Sequence, residues 1–136
     1  YYADKAIVVV NPEVSSVRDS DRILGLLDSK TRKAEQGGTL KPNLLLTRYN
    51  PARVESGEML SIADVEEVLG LKAIGVIPES GDVLNASNKG EPVILDVESA
   101  AGQAYEDAVA RILGEERPMR FTNVEKKGFF SKIFGG

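Results

Sequence analysis

The sequence predicts a doubly wound α/β domain, because three short apolar runs alternate with segments of helical periodicity. The runs are Ala6 to Val10, Leu44 to Thr47 and Ala73 to Ile77. Each is nearly continuous in apolar residues, which is typical of strands buried on both faces of a parallel sheet. Parallel neighbours need long crossover connections, which are right-handed and usually helical. The alternation of strands and helices therefore favours a small, mainly parallel sheet with helices packed on it.

Two crossover helices are predicted between the three runs. Between the first two runs, Ser16 and Asp19 have the spacing of a capping box. Between the second and third runs, Ser61 and Asp64 repeat this spacing, and Gly70 is placed to end the helix. The apolar stripe of the first helix consists of Ile23, Leu24, Leu26, Leu27 and Ala34.

Further elements are expected after the third run. The segment around Val83 to Asn88 fits a short helix, and Val93 to Leu95 fit a further strand. A longer helix is expected from about Ala100 to Leu113, because apolar residues recur there at helical spacing and Gly114 and Pro118 would end it. Its apolar side consists of Ala101, Ala104, Tyr105, Ala108, Ile112 and Leu113. A sheet of three or four strands would leave an unpaired edge. We therefore expect that further strands precede Tyr1 in the natural protein.

The composition excludes several classes of function. The chain has 136 residues and a net charge of -4, with a pI near 5.0, which argues against a general nucleic-acid binder and fits a soluble cytoplasmic protein. It contains no cysteine and no histidine. Disulfides, thiolate or imidazole catalysis, and metal sites built on these side chains are therefore excluded. No apolar run approaches the ~20 residues of a membrane-spanning helix.

The turns after the three runs are the candidate binding site, because ligands of open α/β sheets bind beyond the carboxyl ends of the strands. The turns are Asn11-Pro12-Glu13, Arg48-Tyr49-Asn50-Pro51 and Pro78-Glu79-Ser80-Gly81-Asp82. Arg48 can stack on a flat base or pair with an anion. The same residue types also suit strand-to-helix turns that bind nothing, so both interpretations stay open. Neither GxxxxGK[ST] nor GxGxxG occurs, so this chain alone cannot cradle a triphosphate in the usual way.

The end of the chain, KKGFFSKIFGG from Lys126 to Gly136, predicts an amphipathic helix. At about 100° per residue its four large apolar side chains fall within an arc of about 140°, with lysines bordering and opposing them. Such a basic helix with aromatic residues is typical of an anchor in an anionic lipid interface. One copy would bind weakly and reversibly, whereas two copies on a dimer would bind roughly 10²–10⁴-fold more strongly. The alternative is that the tail packs on its own core or on a protein partner.

Five strings suggest a family: NPEVSSVRDSDRILG, LLLTRYNP, GVIPE, ASNKGEPVI and KKGFFSKIFGG. Together they resemble the C-terminal half of the MinD family, the bacterial cell-division-site ATPases of the deviant Walker A group, over essentially the whole chain. The resemblance implies a P-loop NTPase-like fold and a cytoplasmic ATPase that dimerises on ATP and binds the inner membrane through its C-terminal helix. It also implies recruitment of the division inhibitor MinC, and release from the membrane by MinE-stimulated hydrolysis.

The resemblance assigns residues to three surfaces. The nucleotide-dependent dimer and partner surface is matched by Glu13, Ser15, Asp19 and Asp21. The turns that flank the adenine side of the nucleotide are matched by Thr47, Arg48, Pro78 and Glu79. The membrane-targeting helix is matched by Lys126, Lys127, Phe129, Phe130, Lys132, Ile133 and Phe134. In these terms, residues 1–113 are the C-terminal half of the ATPase domain, residues 114–124 a linker and residues 125–136 the membrane-targeting helix.

ATP and Mg²⁺ are implied for the intact protein only. The family's phosphate loop, magnesium ligands and switch regions lie in an N-terminal half that this sequence lacks. We therefore predict no catalytic residue and no metal site in this chain, no complete ATP site and no ATPase activity of the chain alone. The alternative is a non-catalytic module that binds membranes or acts as a scaffold. A chromosome-partitioning ATPase of the same group would lack the amphipathic tail.

Overall fold

The computed structural model describes residues 5–30, 36–37 and 42–123, with the side chains of residues 28–30 outside the description. Within these residues, three parallel strands form one sheet in the order β1-β2-β3. The strands are β1 (Ile7–Val10), β2 (Asn43–Tyr49) and β3 (Ala73–Pro78). The three predicted strands and their parallel arrangement are confirmed.

Five α-helices accompany the sheet in the described part of the chain. They are α1 (Val14–Lys30), α2 (Pro51–Glu55), α3 (Ile62–Leu69), α4 (Gly81–Lys89) and α5 (Ala100–Ile112). The predicted crossover helices are α1 and α3, and the two helices expected after the third strand are α4 and α5. The sequence did not predict α2, because five residues are too few to show a helical period.

One of the two predicted capping boxes is confirmed. The Ser61 hydroxyl accepts a hydrogen bond from the Asp64 backbone N–H at 3.1 Å, and the Asp64 carboxylate accepts one from the Ser61 N–H at 3.3 Å. Gly70 ends α3 with a left-handed φ of 64°. The box at Ser16 is wrong, because α1 already begins at Val14. Ser16 lies inside the first turn, where its hydroxyl accepts from the Asn11 N–H at 3.2 Å.

The expected strand at Val93 to Leu95 is also wrong. These residues form one 3-10 turn, in which the N–H of Leu95 donates to the Pro92 carbonyl and that of Asp96 to the Val93 carbonyl. The backbone groups are thus satisfied locally and need no neighbouring strand. Val93 packs against the apolar cluster on the α5 side of the sheet.

The sheet carries an apolar core on each face, which confirms the doubly wound arrangement. On one face, Val10, Leu46 and Val76 from the three strands pack with residues of α1 and α3. On the other face, Ile77 and Leu45 pack with residues of α5. The contributions from the helices are Val17 of α1, Val65 and Leu69 of α3, and Ala101 and Ala104 of α5.

Gly75 allows α5 to approach β3 closely. A Cβ atom added to Gly75 would lie 2.6 Å from the Cβ of Ala108 and 2.8 Å from the Cδ1 of Leu45. Because non-bonded carbon atoms need about 3.5–4.0 Å, no larger residue fits without moving the helix. The small residues of β3 and α5 therefore set the distance between the sheet and this helix.

One side of β1 is bare. Val8 and Val10 are buried under α1, whereas Ile7 and Val9, which point to the other face, are 46% and 58% exposed. Within the described residues, β1 pairs with β2 alone. In the part of the chain that the structure describes, these apolar side chains and one backbone edge of β1 are therefore left uncovered.

The C-terminal segment, defined as residues 115–123, folds back along α5. Asp107 of α5 is buried and accepts hydrogen bonds from Arg117 at 3.2 Å and from Arg120 at 2.7 Å. Arg111 donates to the carbonyl of Ile74 at 3.0 Å and to that of Pro118 at 2.8 Å. These charge-assisted hydrogen bonds fix the segment against α5 and β3.

Candidate functional site

The three strands end at the same edge of the sheet, and their turns meet there as the parallel arrangement requires. The Thr47 hydroxyl at the end of β2 donates to Asn11 Oδ1 after β1 at 2.9 Å. The Glu79 N–H after β3 donates to the Tyr49 carbonyl at 2.9 Å. Hydrogen bonds therefore join the three turns into one surface. Burial raises the pKa of the Tyr49 hydroxyl, so that side chain stays neutral in the apolar core to which it belongs.

A cavity of about 510 Å³, here called the strand-end cavity, opens at this edge. All four residues that the resemblance assigns to the adenine side line it: Thr47, Arg48, Pro78 and Glu79. The other lining residues come from the end of β3, from α4 and from α5: Ile77, Ser80, Gly81, Val83, Leu84, Ser87 and Tyr105. The cavity has apolar walls and a few polar groups, the usual character of a small-molecule site.

Arg48, Glu79 and Asn50 form a polar network at the rim of the strand-end cavity. One guanidinium nitrogen of Arg48 lies 3.6 Å from Glu79 Oε1. The other carboxylate oxygen, Oε2, accepts a hydrogen bond from Asn50 Nδ2 at 3.2 Å. Arg48 has a left-handed φ of 56°, which a non-glycine residue seldom adopts. Such strained residues cluster at functional sites, where the surrounding structure holds them.

Tyr105 is a cavity residue that the sequence did not reveal. It was expected only as part of the apolar side of α5, and the structure places it half-buried in the wall of the strand-end cavity. The available signal was one large aromatic residue on a predicted apolar side that otherwise begins with small residues, Ala101, Ala104 and Ala108. Its ring is positioned because Ala101, Ala104 and Ala108 let α5 lie close to β3.

A second cavity, of about 570 Å³, lies between α2 and the C-terminal segment. Asn50, Pro51 and Pro78 form one wall, and Met119 and Phe121 are part of the other. Pro78 lines both cavities. The C-terminal segment thus reaches the same edge of the sheet as the candidate site.

Asp107 holds that segment through an electrostatic balance. Burial alone would raise the pKa of the Asp107 carboxyl, but hydrogen bonds from Arg120 and Arg117 outweigh burial, so the pKa lies below its usual value. The hydrogen bonds to Asp107 also raise the pKa of both guanidinium groups. The cluster therefore remains fully charged around neutral pH.

The residues assigned to the dimer and partner surface lie apart from the strand-end cavity. Glu13, Ser15, Asp19 and Asp21 are exposed at or near the start of α1, and none of them lines that cavity. Glu13 lies 4.0 Å from Arg53 in a smaller depression of about 360 Å³ beside α2. These four residues are therefore accessible to a partner but are not part of the strand-end cavity.

The seven residues assigned to the membrane-targeting helix, from Lys126 to Phe134, lie outside the described residues. Among the residues that are described, no helix is both long enough and apolar enough to cross a membrane. In the same residues, no group of three acidic side chains is placed to hold a metal ion.

No protein-family model matches the chain, but two named relatives match it along its whole length. The septum site-determining protein MinD of Escherichia coli K12 is 64% identical over 137 residues, covering 100% of this chain and 51% of the relative. The protein of the same name from Neisseria meningitidis serogroup B is 62% identical over 136 residues, covering 100% of this chain and 50% of the relative.

Solved structures agree with the sequence relatives. The MinD cell division protein of Aquifex aeolicus has a TM-score of 0.76 at 40% identity, over 87% of this chain and 47% of that protein. A chain of the MinC:MinD cell division protein complex of Aquifex aeolicus matches with a TM-score of 0.77 at 39% identity, over 89% of this chain and 47% of that chain. The septum site-determining protein MinD of Pyrococcus horikoshii, complexed with Mg-ADP, shares the fold with a TM-score of 0.65 at 22% identity. The match covers 81% of this chain and 41% of that protein. Along its whole length the chain is therefore related to the septum site-determining protein MinD, and it spans about half the length of the curated relatives it matches.

Proposed function

We propose that this chain is the C-terminal half of a MinD-type ATPase and that the strand-end cavity binds the adenine side of ATP. The observation that carries the proposal is the convergence of two separate turns on one cavity. All four residues assigned to the adenine side by the resemblance line it. Ligand binding at the carboxyl ends of the strands is also the general rule for open α/β sheets.

The chemistry of the cavity fits a purine base. Its volume of about 510 Å³ lies within the usual range of small-molecule pockets, roughly 300–1,000 Å³. Val83, Leu84 and the ring of Tyr105 offer apolar surface against which the faces of a flat base can pack. Arg48 and Glu79 at the rim offer a donor and an acceptor for polar groups at its edges. These residues bind and orient the base.

The fit does not extend to the phosphates. The chain has no phosphate loop, and its described residues include no acidic cluster for Mg²⁺. We propose that the phosphates and the metal ion are held by the other half of the protein, where bound ATP would transfer its γ-phosphoryl group to water and leave ADP. The Mg-ADP complex of the Pyrococcus horikoshii relative supports this class of cofactor. On this proposal the chain alone has no ATPase activity.

The proposed partners are a second copy of the protein, MinC and MinE, with no nucleic acid among them. The MinC:MinD complex of Aquifex aeolicus contains a chain that is 39% identical to this one, which supports MinC as a partner. The exposed residues at the start of α1 are the proposed surface for the second copy and for MinC. MinE is proposed to stimulate hydrolysis and so release the complex.

The proposed site of action is the cytoplasmic face of the inner membrane, where the protein is peripheral. Residues 125–136 supply the anchor, an amphipathic helix that lies in the headgroup region of anionic lipids. Reversible membrane binding, ATP-dependent dimerisation and recruitment of MinC together select the cell-division site. The proposed linker at residues 114–124 includes the whole C-terminal segment, which Asp107 holds against α5.

The adenine site can be tested by filling the cavity in a full-length protein. We would join this chain to the remaining half of Escherichia coli MinD, in place of the part to which it is 64% identical, and measure Mg-ADP binding by calorimetry. Leu84→Trp, which fills the strand-end cavity, is expected to weaken binding about tenfold or more. The control is Val68→Trp on α3, because Val68 is similarly exposed and lines neither of the two cavities; its binding should be unchanged.

One outcome tests where the base binds, and the other tests the function itself. If the joined protein binds Mg-ADP and Leu84→Trp does not weaken binding, the base does not lie in the strand-end cavity. If the unsubstituted joined protein neither binds Mg-ADP nor hydrolyses ATP, the non-catalytic membrane-binding or scaffolding module becomes the better assignment.

A further inference from the structure

We propose that Asn50 is a positioning residue for nucleotide binding, a role that rests on the adenine site proposed above. Asn50 does not line the strand-end cavity. It acts through Glu79, whose carboxylate it holds, and through Arg48, which that carboxylate holds in turn. Its proposed role is to fix the polar rim of the cavity before the base arrives.

The orientation of the Asn50 amide is determined by α2. Its Oδ1 accepts hydrogen bonds from the backbone N–H groups of Ala52 at 3.1 Å and Arg53 at 3.3 Å, which caps the helix. Its own backbone N–H donates to the sulfur of Met59 at 3.4 Å, and Met59 is buried. Because Oδ1 is committed to the cap, Nδ2 is left to point away from α2. It meets Glu79 Oε2 at 3.2 Å.

Glu79 is thereby held from two sides. Its backbone is joined to the end of β2 by the hydrogen bond from its N–H to the Tyr49 carbonyl. One carboxylate oxygen is bound by Asn50, and the other faces Arg48. A carboxylate with both oxygens occupied cannot turn into the cavity without breaking one of these contacts.

Arg48 needs this support because its side chain is 66% exposed. An exposed ion pair at 3.6 Å is weak on its own, since two mobile side chains must both be ordered to form it. Ordering a long side chain when a ligand binds costs roughly 0.5–1.5 kcal/mol. If Glu79 is already fixed by Asn50, part of this ordering is complete before the nucleotide binds.

The purely structural alternative is that Asn50 only caps α2. The two roles separate in Asn50→Asp, because aspartate caps a helix as well as asparagine does. The substitution retains the acceptor for Ala52 and Arg53 but removes the donor and places a second carboxylate beside Glu79. A capping role alone therefore predicts no change in nucleotide binding.

The experiment is a double-mutant cycle, with Mg-ADP binding measured by calorimetry and melting temperature measured in parallel. It uses the full-length protein obtained by joining this chain to the remaining half of Escherichia coli MinD. We expect Asn50→Asp to weaken Mg-ADP binding about five- to tenfold, because Glu79 and Arg48 are no longer held in place before the base binds. Because the α2 cap is retained, the melting temperature should fall by only about a few degrees. Glu79→Gln alone removes the carboxylate that faces Arg48 and should weaken binding by itself. In that background the new amide can donate to the carboxylate introduced by Asn50→Asp, so adding Asn50→Asp should weaken binding by less than about twofold more.

Three outcomes decide the matter. Mg-ADP binding by Asn50→Asp equal to that of the unsubstituted protein would overturn the positioning role. If Asn50→Asp weakens binding by the same factor in the Glu79→Gln background as in the unsubstituted protein, the two residues are not coupled and the role is overturned as well. If the unsubstituted protein does not bind Mg-ADP, the adenine site itself is wrong and the positioning role falls with it, a result distinct from the other two.

Discussion

Asp107 is a buried carboxyl group on α5 whose two arginine partners come from the C-terminal segment. Its pKa lies below the usual value because the hydrogen bonds from Arg120 and Arg117 outweigh the effect of burial. A carboxyl group with a depressed folded-state pKa stabilises the fold above its unfolded pKa of about 4. That contribution is lost as the pH falls through the folded-state pKa.

Asp107→Asn is therefore expected to lower the free energy of unfolding at pH 7 by roughly 1–3 kcal/mol, since two charge-assisted hydrogen bonds are weakened. The difference from the unsubstituted protein should shrink steadily below about pH 4. Urea unfolding at several pH values measures both effects. Glu106→Gln is the matched control, because Glu106 is exposed and lies 3.9 Å from Arg117. Equal destabilisation by both substitutions, or a difference that does not depend on pH, would contradict this account.

Some residues of the candidate site lie in short sequence motifs and could be predicted, whereas others depend on contacts between distant parts of the chain. The resemblance assigned Thr47, Arg48, Pro78 and Glu79 to the adenine side, which stays a prediction, and the rule that parallel strands end at one edge predicted that their turns would meet. Asn50 was assigned to a turn only, because its hydrogen bond to Glu79 joins residues 29 positions apart. No local pattern reports a contact over that distance. Tyr105 was missed as a cavity residue because helical periodicity gives a buried face and not what that face encloses.

At the scale of elements, the sequence predicted the strands and helices whose buried side leaves a regular pattern of apolar residues. The three strands and the helices α1, α3, α4 and α5 all carry apolar periodicity or clear end signals. The failures were the short elements, namely α2 and the 3-10 turn at Val93 to Leu95. Their form depends on local hydrogen bonds such as the Asn50 cap, which compete with a hydrophobic pattern of only three to five residues.

The contact between β3 and α5 makes a prediction about packing. Gly75→Ala places a Cβ 2.6 Å from Ala108 Cβ, so the helix must shift, and we expect a loss of roughly 1–3 kcal/mol of stability. Gly25→Ala in α1 is the matched control, because a Cβ there meets nothing within 4 Å. In a helix this change should be stabilising by roughly 0.5–1 kcal/mol. Thermal unfolding of the two variants should therefore shift in opposite directions, and a loss of the same size in both would contradict the close packing.

The proposed membrane helix is a separate element with its own prediction. Phe130→Glu combined with Ile133→Glu places two charges on the apolar face and should abolish sedimentation with anionic liposomes. Ser131→Glu combined with Gly135→Glu adds the same charge on the opposite side, at about 100° per residue. That control should retain clearly more binding. Equal sedimentation of the two variants with anionic liposomes would contradict the assignment of an interfacial helix.

At the scale of the whole molecule, the described residues cover one face of the sheet fully and the other face only in part. The face under α1 and α3 is closed, and α5 covers the other face over β3, but Ile7 and Val9 of β1 remain exposed. A parallel sheet is normally covered on both faces. This bare surface is what the proposed other half of the ATPase would cover, and its exposure leads us to expect poor solubility of the 136-residue chain alone.

Ile7→Thr combined with Val9→Thr tests this proposal, because threonine retains strand propensity while removing apolar surface. In the isolated chain the pair should reduce self-association, measured by sedimentation velocity. In the protein joined to the remaining half of Escherichia coli MinD, the same pair should lower stability by roughly 1–3 kcal/mol, because the side chains would then be buried. Val68→Thr on the exposed side of α3 is the control and should do neither. Greater solubility of the isolated chain without any loss of stability in the joined protein would show that the bare face of β1 is not where the two halves meet.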